Sequence, residues 1–421
     1  ERTEAHTLGS FLSRLDTAEM RPILRRISLE CAASAVAEMD ADAAAELLQA
    51  MRDSRAVRLL EEMDPDDSAD IFGEMNPEDR ERLLVMVDPE AAVILRRLIT
   101  YAPRTAGGIM NPQVPTALPE MTVIQTVRLI QKLSSKFEHI HYVYVTDRQR
   151  HLLGVVSMRD LVFAGPNQRL ESIMPQELRG VCRVDMDQEA VARIMAEVNL
   201  NCLPVTDDDN RLVGIITADD ILDVLRDEAT EDLQKLVGAG GDEAIYDPIG
   251  ASVGRRFPWL VVNLITAALA SAVVAVFEER IRELTLLAVC MPIIANLGGN
   301  TGAQTLAVVI RGLALEEIRS GESRWVLMRE GLKGLLNGAL IGLIAAVVIG
   351  LWTGQLAIAA LVMVSMIAAM GYAGAAGAII PLILRKTGLD PAQSSSIFVT
   401  ATTDIFGFGV FLGLGSIWLF P

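Results

Sequence analysis

The stretch VTATTDIFGFGVFLG, residues 399–413, places one carboxylate, Asp404, near the middle of the last long apolar run of the chain. A charged side chain at the centre of a membrane-spanning helix costs roughly 2.5–3.5 kcal/mol to insert. On a helix, Ser396 and Thr400 precede Asp404 by eight and four residues and share its face, so the three draw a polar stripe along the segment. No lysine, arginine or histidine lies at comparable depth in the apolar runs, and no second acid does. Two arrangements answer such a group: a protonated, hydrogen-bonded acid, or an ionised carboxylate whose partner is a mobile cation.

Two further stretches carry chemistry. In MPIIANLGGNTGAQTLAVVIRGLA, residues 291–314, Pro292, Gly298, Gly299 and Gly302 are expected to loosen a helix, and Asn300, Thr301 and Gln304 add polar groups. Broken backbone at membrane depth survives only where it is buried in protein or lines a watery path; the alternative is close helix contact through small residues. In ADDILDVLRDEATEDLQKL, residues 218–236, Asp219, Asp220, Asp223, Asp227, Glu228, Glu231 and Asp232 crowd along one helix. Like charges three and four residues apart destabilise a helix. Bound divalent cations would offset that repulsion, and solvent screening is the plainer alternative.

The elements that must position these groups fall into two chemically different halves. Of 421 residues, 51% are hydrophobic and the formal net charge is −17. Residues 256–421 carry 10 Lys+Arg against 9 Asp+Glu, whereas residues 1–255 carry 27 against 45. Nucleic acid is excluded as a partner, because phosphate binding needs a basic face. An acidic polar half suits cations, although it also serves solubility alone. Cys31, Cys182, Cys202 and Cys290 are scattered, so no disulfide framework or zinc site is expected. The first residues do not resemble a secretory signal peptide.

The nearly neutral half reads as five membrane spans, over about 257–277, 284–310, 330–351, 355–384 and 392–418, each near or above the ~20 residues a bilayer requires. Arg255, Arg256, Arg311, Arg319, Arg324, Arg329, Lys333, Arg385 and Lys386 fall on one side; Arg280 and Arg282 fall on the other. The positive-inside rule then puts the N-terminal domains in the cytoplasm and Pro421 outside. Trp259, Trp352 and Trp418 sit at the expected interfaces. Residues 230–255, with a GAGG break, read as a connector between the halves, either a helix that transmits motion or a passive linker.

In residues 1–104, prolines recur at Pro65, Pro77 and Pro89 in MDPDDSADIFGE, MNPEDRERLLVM and VDPEAAVILRRL. Asp64, Asn76 or Asp88 can cap each unit, with proline at the first helical position. The apolar faces are Ile71, Phe72 and Met75; Leu83, Leu84 and Val87; Ile94, Leu95 and Leu98. Such short helices must stack to bury them, so an all-α helical stack is expected. Residues 105–229 hold a duplication. YVYVTDRQRHLLGVVSMRDLV (142–162) and CLPVTDDDNRLVGIITADDIL (202–222) align at an offset of 60, each reading strand, turn, strand, helix, and each is preceded by an Ile-Met pair, at 109–110 and 173–174. This resembles a tandem pair of CBS modules, of the cystathionine-β-synthase type. In that family the hydroxyl and aspartate of GVVSMRD and GIITADD can hold the ribose of an adenine nucleotide, here Ser157 with Asp160 and Thr217 with Asp220. The resemblance leaves nucleotide binding open, and implies a regulatory domain that senses a small ligand.

With LGGNTGAQ, LDPAQSSSIFVTATTD and ADDILDVLRDEATED in the same order, the whole chain resembles the MgtE family of magnesium channels. That resemblance implies a multidomain architecture: an all-α N-terminal helical stack (1–104), an α/β tandem CBS pair (105–229), a connecting or plug helix (230–255) and a five-helix transmembrane domain (256–421). It implies a homodimer in the plasma (inner) membrane that takes up Mg2+, with a pore lined by Gly298, Gly299, Asn300, Thr301, Gln304, Ser396 and Thr400 of spans two and five and with Asp404 binding the hydrated ion. Asp390 matches an acidic gate position. Asp220, Asp223, Glu231, Asp232 and Glu189 match regulatory Mg2+ ligands, and Asp64, Asp67 and Asp88 are candidates in the N domain. Cytoplasmic Mg2+ on these acids would hold the pore closed. An enzyme is not expected: no H-E-x-x-H motif exists, since His6, His139, His141 and His151 all precede the spans, and no phosphate-binding G-x-x-x-x-G-K-[ST] loop exists for an ATP-driven pump. A transporter of divalent cations such as Mg2+ or Co2+, coupled to an ion gradient, stays open as the alternative. A magnesium sensor without transport is disfavoured by the polar stripe.

Overall fold

A computed structural model describes residues 7–9, 11–13, 15–133, 140–175, 178, 180–241, 243–245, 249–315, 317–319, 321–393 and 395–420. His6, His139 and Pro421, used in the sequence reading, lie outside the described residues. The chain divides into two compact units, residues 1–228 and 229–421.

The first unit opens with short helices: α1 (Thr17–Leu24), α2 (Leu29–Ala37), α3 (Ala41–Gln49), α4 (Asp53–Glu62), α5 (Pro65–Glu74), α6 (Pro77–Leu84) and α7 (Pro89–Leu98). Helices of eight to ten residues are not stable alone in water. Each therefore packs on the next but one, α1 on α3, α2 on α4 and so on to α5 on α7. Leu47, Leu59, Phe72 and Leu83 are fully buried by that stacking, each worth about 1.5–3 kcal/mol. The three prolines stand at the first position of α5, α6 and α7. Asn76 accepts from Asp79 N, and Asp88 accepts from Glu90 N and Ala91 N, as caps should. Two expectations fail: Asp64 makes no capping hydrogen bond, and Ile94 is solvent-exposed rather than core. Ile94 stands at the repeat position of Asp70 and Arg82, which are exposed as well, and the buried position is the next one, Ile71, Leu83 and Leu95.

The duplication folds as two three-stranded sheets. In the first, β1 (Thr116–Ala117) runs parallel to β2 (Tyr142–Thr146), which pairs antiparallel with β3 (Leu152–Ser157); in the second, β4 (Cys182–Arg183), β5 (Cys202–Thr206) and β6 (Leu212–Thr217) repeat the pattern. The offset of 60 persists in the register, with Val145 opposite Gly154 and Val205 opposite Gly214. Helices α8 (Val123–Leu133), α9 (Met158–Phe163), α10 (Leu170–Ile173) and α11 (Gln188–Val198) flank the sheets. The repeated Ile-Met pair has a crossed role. A Cβ on Gly154 would lie 2.6 Å from the sulfur of Met174, and one on Gly214 would lie 2.7 Å from that of Met110. Each methionine thus fills the glycine hollow of the other copy, and the two copies cannot separate without opening both cores.

Helix α12 (Ala218–Leu236) is continuous, and no described residue between it and α13 (Ile249–Val276) is helical. The second unit continues through α14 (Glu278–Glu283), α15 (Leu286–Ala314), α16 (Ser323–Thr353), α17 (Leu356–Lys386) and α18 (Ser395–Leu419). Helices α13, α15, α16, α17 and α18 are long and apolar enough to cross a membrane. Helix α17 is central, packing on α15, α16 and α18, whereas α13 rests mainly on α18. Gly334, Gly338 and Gly342 form one face of α16 against α17: a Cβ on Gly334 would stand 2.2 Å from the Met370 carbonyl oxygen, and one on Gly338 would stand 2.8 Å from Ile367 Cα. In lipid, where no hydrophobic force drives helices together, such close backbone approach supplies the packing energy.

Gly334→Ala should therefore push α16 off α17 and destabilise the detergent-solubilised protein by about 1–3 kcal/mol in thermal unfolding. Gly331→Ala in the same helix meets its nearest neighbour only at 3.8 Å and should stay within about 0.5 kcal/mol.

Candidate ion pathway and acidic seam

The polar groups of α15 and α18 come to one helix pair. Gly302 is the closest approach, where a Cβ would meet Val399 Cγ1 at 2.5 Å. Helix α15 is unbroken from Leu286 to Ala314, despite Pro292 and the glycines. The expected loosening is thus absent: Gly302 is a buried small residue that admits close packing, the contact alternative, whereas a Cβ on Gly298 would meet nothing within 4 Å; Asn296, Asn300 and Gln304 form an exposed polar row beside them. Their i, i+4, i+8 spacing puts them on one face. Thr301 is buried and donates to the Leu297 carbonyl at 2.8 Å, so its hydroxyl satisfies its own helix.

On α18, Thr400 is exposed and Asp404 half-buried. Thr403 is buried and donates to the Thr400 carbonyl at 2.9 Å. Among the described residues, no hydrogen bond or ion pair reaches the Asp404 carboxylate. Tyr372 of α17 stacks on Phe406 at 4.1 Å between centroids, fixing α18 two residues from Asp404. Ser396 departs from the expected stripe: its hydroxyl donates to the Leu236 carbonyl at the end of α12. A second acid, Glu330 of α16, escaped the sequence reading because it stood at the edge of an expected span. The helix starts seven residues earlier, at Ser323, so Glu330 is buried within it and pairs with Lys333.

The acidic residues of residues 218–236 divide between the units. Asp220 and Asp223 belong to the first, Glu231 and Asp232 to the second. In the first unit, Asp220 of α12 faces the acids of α5. Burial, then Asp67 and Asp220, hold the Asp66 carboxyl well above the usual range. Burial, then Asp64 and Asp220, push Asp67 up to about 8. Burial raises Asp220 to about 6, against the lowering effect of its hydrogen bonds from Thr217. Asn111 donates to Asp66 at 3.3 Å across the same seam. The sequence reading named Asp64, Asp67 and Asp220 but missed Asp66, although it lies in the quoted DPDDSAD unit. Asp88 is exposed and occupied as a helix cap, and Glu189 is exposed in the first turn of α11. Among the described residues, no three carboxylate, imidazole or thiol groups converge as a metal cage.

In the second unit, Lys235 donates to Asp390 at 2.8 Å and also pairs with Glu231. Burial works against its charge, yet the hydrogen bonds to Asp390 and Glu231 hold its pKa above the ordinary value. In the CBS pair, Ser157 and Asp160 form a reciprocal capping box, and Thr217 and Asp220 hydrogen-bond each other. A cleft of about 340 Å3 is lined by His141, Asn201, Thr217, Ala218 and Asp219. Thus Thr217 sits at a cleft, and Asp220 is shared between that threonine and the acidic seam.

The seam has a signed pH consequence. The folded pKa of Asp67 lies near 8 and its unfolded value near 3.9. Stability is therefore greatest below the unfolded value and is lost as pH rises through the folded one. Without divalent cations, the thermal transition of the first unit should fall between pH 5 and 9, by on the order of 2–3 kcal/mol of stability. Asp67→Asn should flatten that fall, and millimolar Mg2+ should reduce it in the parent protein.

Comparisons with known proteins place this geometry. Residues 4–104 match the MgtE intracellular N domain, residues 106–167 and 173–227 match the CBS domain, and residues 291–414 match MgtE, a divalent cation transporter. The magnesium transporter MgtE of Thermus thermophilus is 35% identical over 336 residues, 79% of this chain and 74% of that protein. That of Enterococcus faecalis is 32% identical over 330 residues, 78% and 72% respectively. Among solved structures, the cytosolic domain of the Mg2+ channel MgtE in complex with ATP is 34% identical and superposes with a TM-score of 0.50, covering 52% of this chain and 90% of that one. Domain order, spans and sequence agree throughout: the chain belongs to the MgtE family of divalent cation transporters.

Proposed function

We propose that the chain is a Mg2+ channel for magnesium uptake, closed by cytoplasmic Mg2+ acting on its acidic N and CBS domains. The observation that carries the reading is Asp404, a carboxylate inside a spanning helix that no hydrogen bond or ion pair reaches among the described residues. An unmet carboxylate at that depth favours a cation beside it, and the relatives are named magnesium transporters. Mg2+ sheds water reluctantly and is usually held by one or two carboxylates plus several waters. The uncharged groups of Asn300, Gln304 and Thr400, exposed on the protomer, suit a hydrated ion and do not suit lipid. A second copy of the chain would cover them, giving a homodimer with one Asp404 from each protomer.

Gating follows from the acids. The seam carboxylates Asp66, Asp67 and Asp220 repel one another when ionised, which favours separation of α5 from α12. Divalent cations held there supply positive charge. Closed and open arrangements then differ in how many cations they hold, and that difference sets the shift with concentration. Asp223, Glu231, Asp232, Glu189, Asp64 and Asp88 are assigned as further acids of this control, with Asp390 at the gate. The four parts bounded at residues 104, 229 and 255 act as N domain, CBS sensor, connector and pore. The N-terminal parts face the cytoplasm in the inner membrane, the side to which the arginine-rich loops point. The cleft at His141, Asn201 and Thr217 is the place for an adenine nucleotide; the solved relative in complex with ATP supports that reading.

The test is Mg2+ flux into proteoliposomes with Na+ and H+ gradients collapsed. Wild-type flux should persist, and should fall at high Mg2+ on the face of the N-terminal domains. Asp404→Ala should lose roughly tenfold or more, since each 1.4 kcal/mol of lost ion stabilisation is a factor of ten. Flux that vanishes without an ion gradient would replace the channel with coupled transport; undiminished flux in Asp404→Ala would remove the pore role of that residue.

A further inference from the structure

The connector is tied to the transmembrane unit by a set of contacts that the acidic-seam account does not use. Lys235, one residue before the end of α12, donates to Asp390 at 2.8 Å, 155 residues away in sequence. Its ammonium also pairs with Glu231, which is buried. Asp390 uses its other oxygen to accept from Ala392 N at 2.9 Å, and so fixes the turn that leads into α18. One residue beyond Lys235, the Leu236 carbonyl accepts from Ser396 in the first turn of α18. The Leu236 side chain packs with Leu306, Ile310 and Val399, where α15 meets α18.

The following loop folds back over this joint. Gln234 bonds both backbone groups of Glu243, donating to its carbonyl at 2.7 Å and accepting from its N–H at 2.9 Å. Glu243 in turn takes a two-pronged ion pair from Arg256 of α13. A Cβ on Gly241 would lie 2.9 Å from Glu231 Cγ and 3.2 Å from Lys235 Cε, so the loop lies directly on the Lys235–Glu231 pair. Gly238, with φ +73°, makes the reversal that brings it there.

One ammonium thus serves two carboxylates that would otherwise repel, and it serves them at the entry to the helix that carries Asp404. Asp404 lies 14 residues beyond Asp390 in sequence and nine beyond the start of α18, about 14 Å along that helix. We propose that Lys235 is a positioning residue for transport: a tethered cation that latches α12 to the start of α18 and lowers the Mg2+ concentration needed to close the pathway. This rests on the gating reading above, but the latch has a readout of its own. Without the ammonium, Asp390 loses its paired cation and Glu231 loses one of its partners, the joint loosens, and divalent cations must supply the missing charge.

The test uses the full-length protein in detergent and a glutamate-specific protease, with cleavage at Glu243 followed by mass spectrometry. Glu243 is nearly buried when paired with Arg256, so cutting reports release of the loop. Without divalent cations, Lys235→Gln should speed cleavage roughly two- to fivefold, the range a partly exposed ion pair commands; Lys235→Arg should stay near the parent rate. Lys235→Gln with Asp390→Asn should be no faster than either alone, because the two act as one pair. In proteoliposomes, Lys235→Gln should raise the Mg2+ concentration for half-closure by a similar factor. Equal cleavage in the parent and Lys235→Gln, or additive effects of the two substitutions, would overturn the latch. If cleavage responds to Lys235→Gln but adding Mg2+ never slows it in the parent, the latch stands as a strap and the gating reading fails with its role in closure.

Discussion

A carboxylate inside a low-dielectric helix bundle is stable as an anion only if something positive stays near it, and the transmembrane unit is arranged around that constraint. Helix α17 packs on both members of the pair α15–α18 and α13 rests on α18; glycines bring α16 onto α17 and α15 onto α17 at backbone distance and let Val399 of α18 reach Gly302 of α15. Close packing leaves little freedom for α18 to shift alone. Within that frame the hydroxyls of Thr301 and Thr403 are spent on their own helices, and the amides of Asn300 and Gln304 stay exposed. On the proposed reading these groups form a path with one strong charge from each chain and otherwise weak, neutral ligands, which suits an ion that must enter hydrated and leave again.

The same electrostatic problem is met in opposite ways outside the membrane. In the first unit, Asp66, Asp67 and Asp220 face one another and are held toward the protonated state; on the proposed gating reading, cations relieve the repulsion that ionisation brings. At the connector, Glu231 and Asp390 face each other too, but Lys235 stands between them. On the proposed gating reading, the first joint takes an external cation whereas the second carries its own.

Much of this was legible in the sequence because it rests on periodicity and on cost. Prolines at a period of 12, an offset of 60 between copies, and five apolar runs gave the stacked helices, paired sheets and spans, and Asp404 stood out because an acid there is expensive. The misses were of another kind. Ile94 stands one position before the buried one, at the exposed repeat position of Asp70 and Arg82, and Asp64 does not cap although its repeat partners Asn76 and Asp88 do. Pro292, Gly298 and Gly299 were read as breakers, but in a long apolar helix the backbone keeps its bonds when no water competes for them, so α15 stays whole. Ser396 was placed on the stripe by helical phase alone, and only tertiary contact shows its hydroxyl bound to Leu236. The crossed filling of Gly154 by Met174 and Gly214 by Met110, and the Lys235–Asp390 pair, depend on contacts across long sequence separations, which no local pattern encodes.

The central claim is that Asp404 is ionised and meets a cation directly. Infrared difference spectroscopy of the full-length protein, with and without Mg2+, tests it by reading the carboxylate stretch. The account predicts a Mg2+-induced change in the carboxylate region that is missing in Asp404→Asn while the changes from the seam acids remain. A protonated carboxyl band that belongs to Asp404, unmoved by Mg2+, would contradict it.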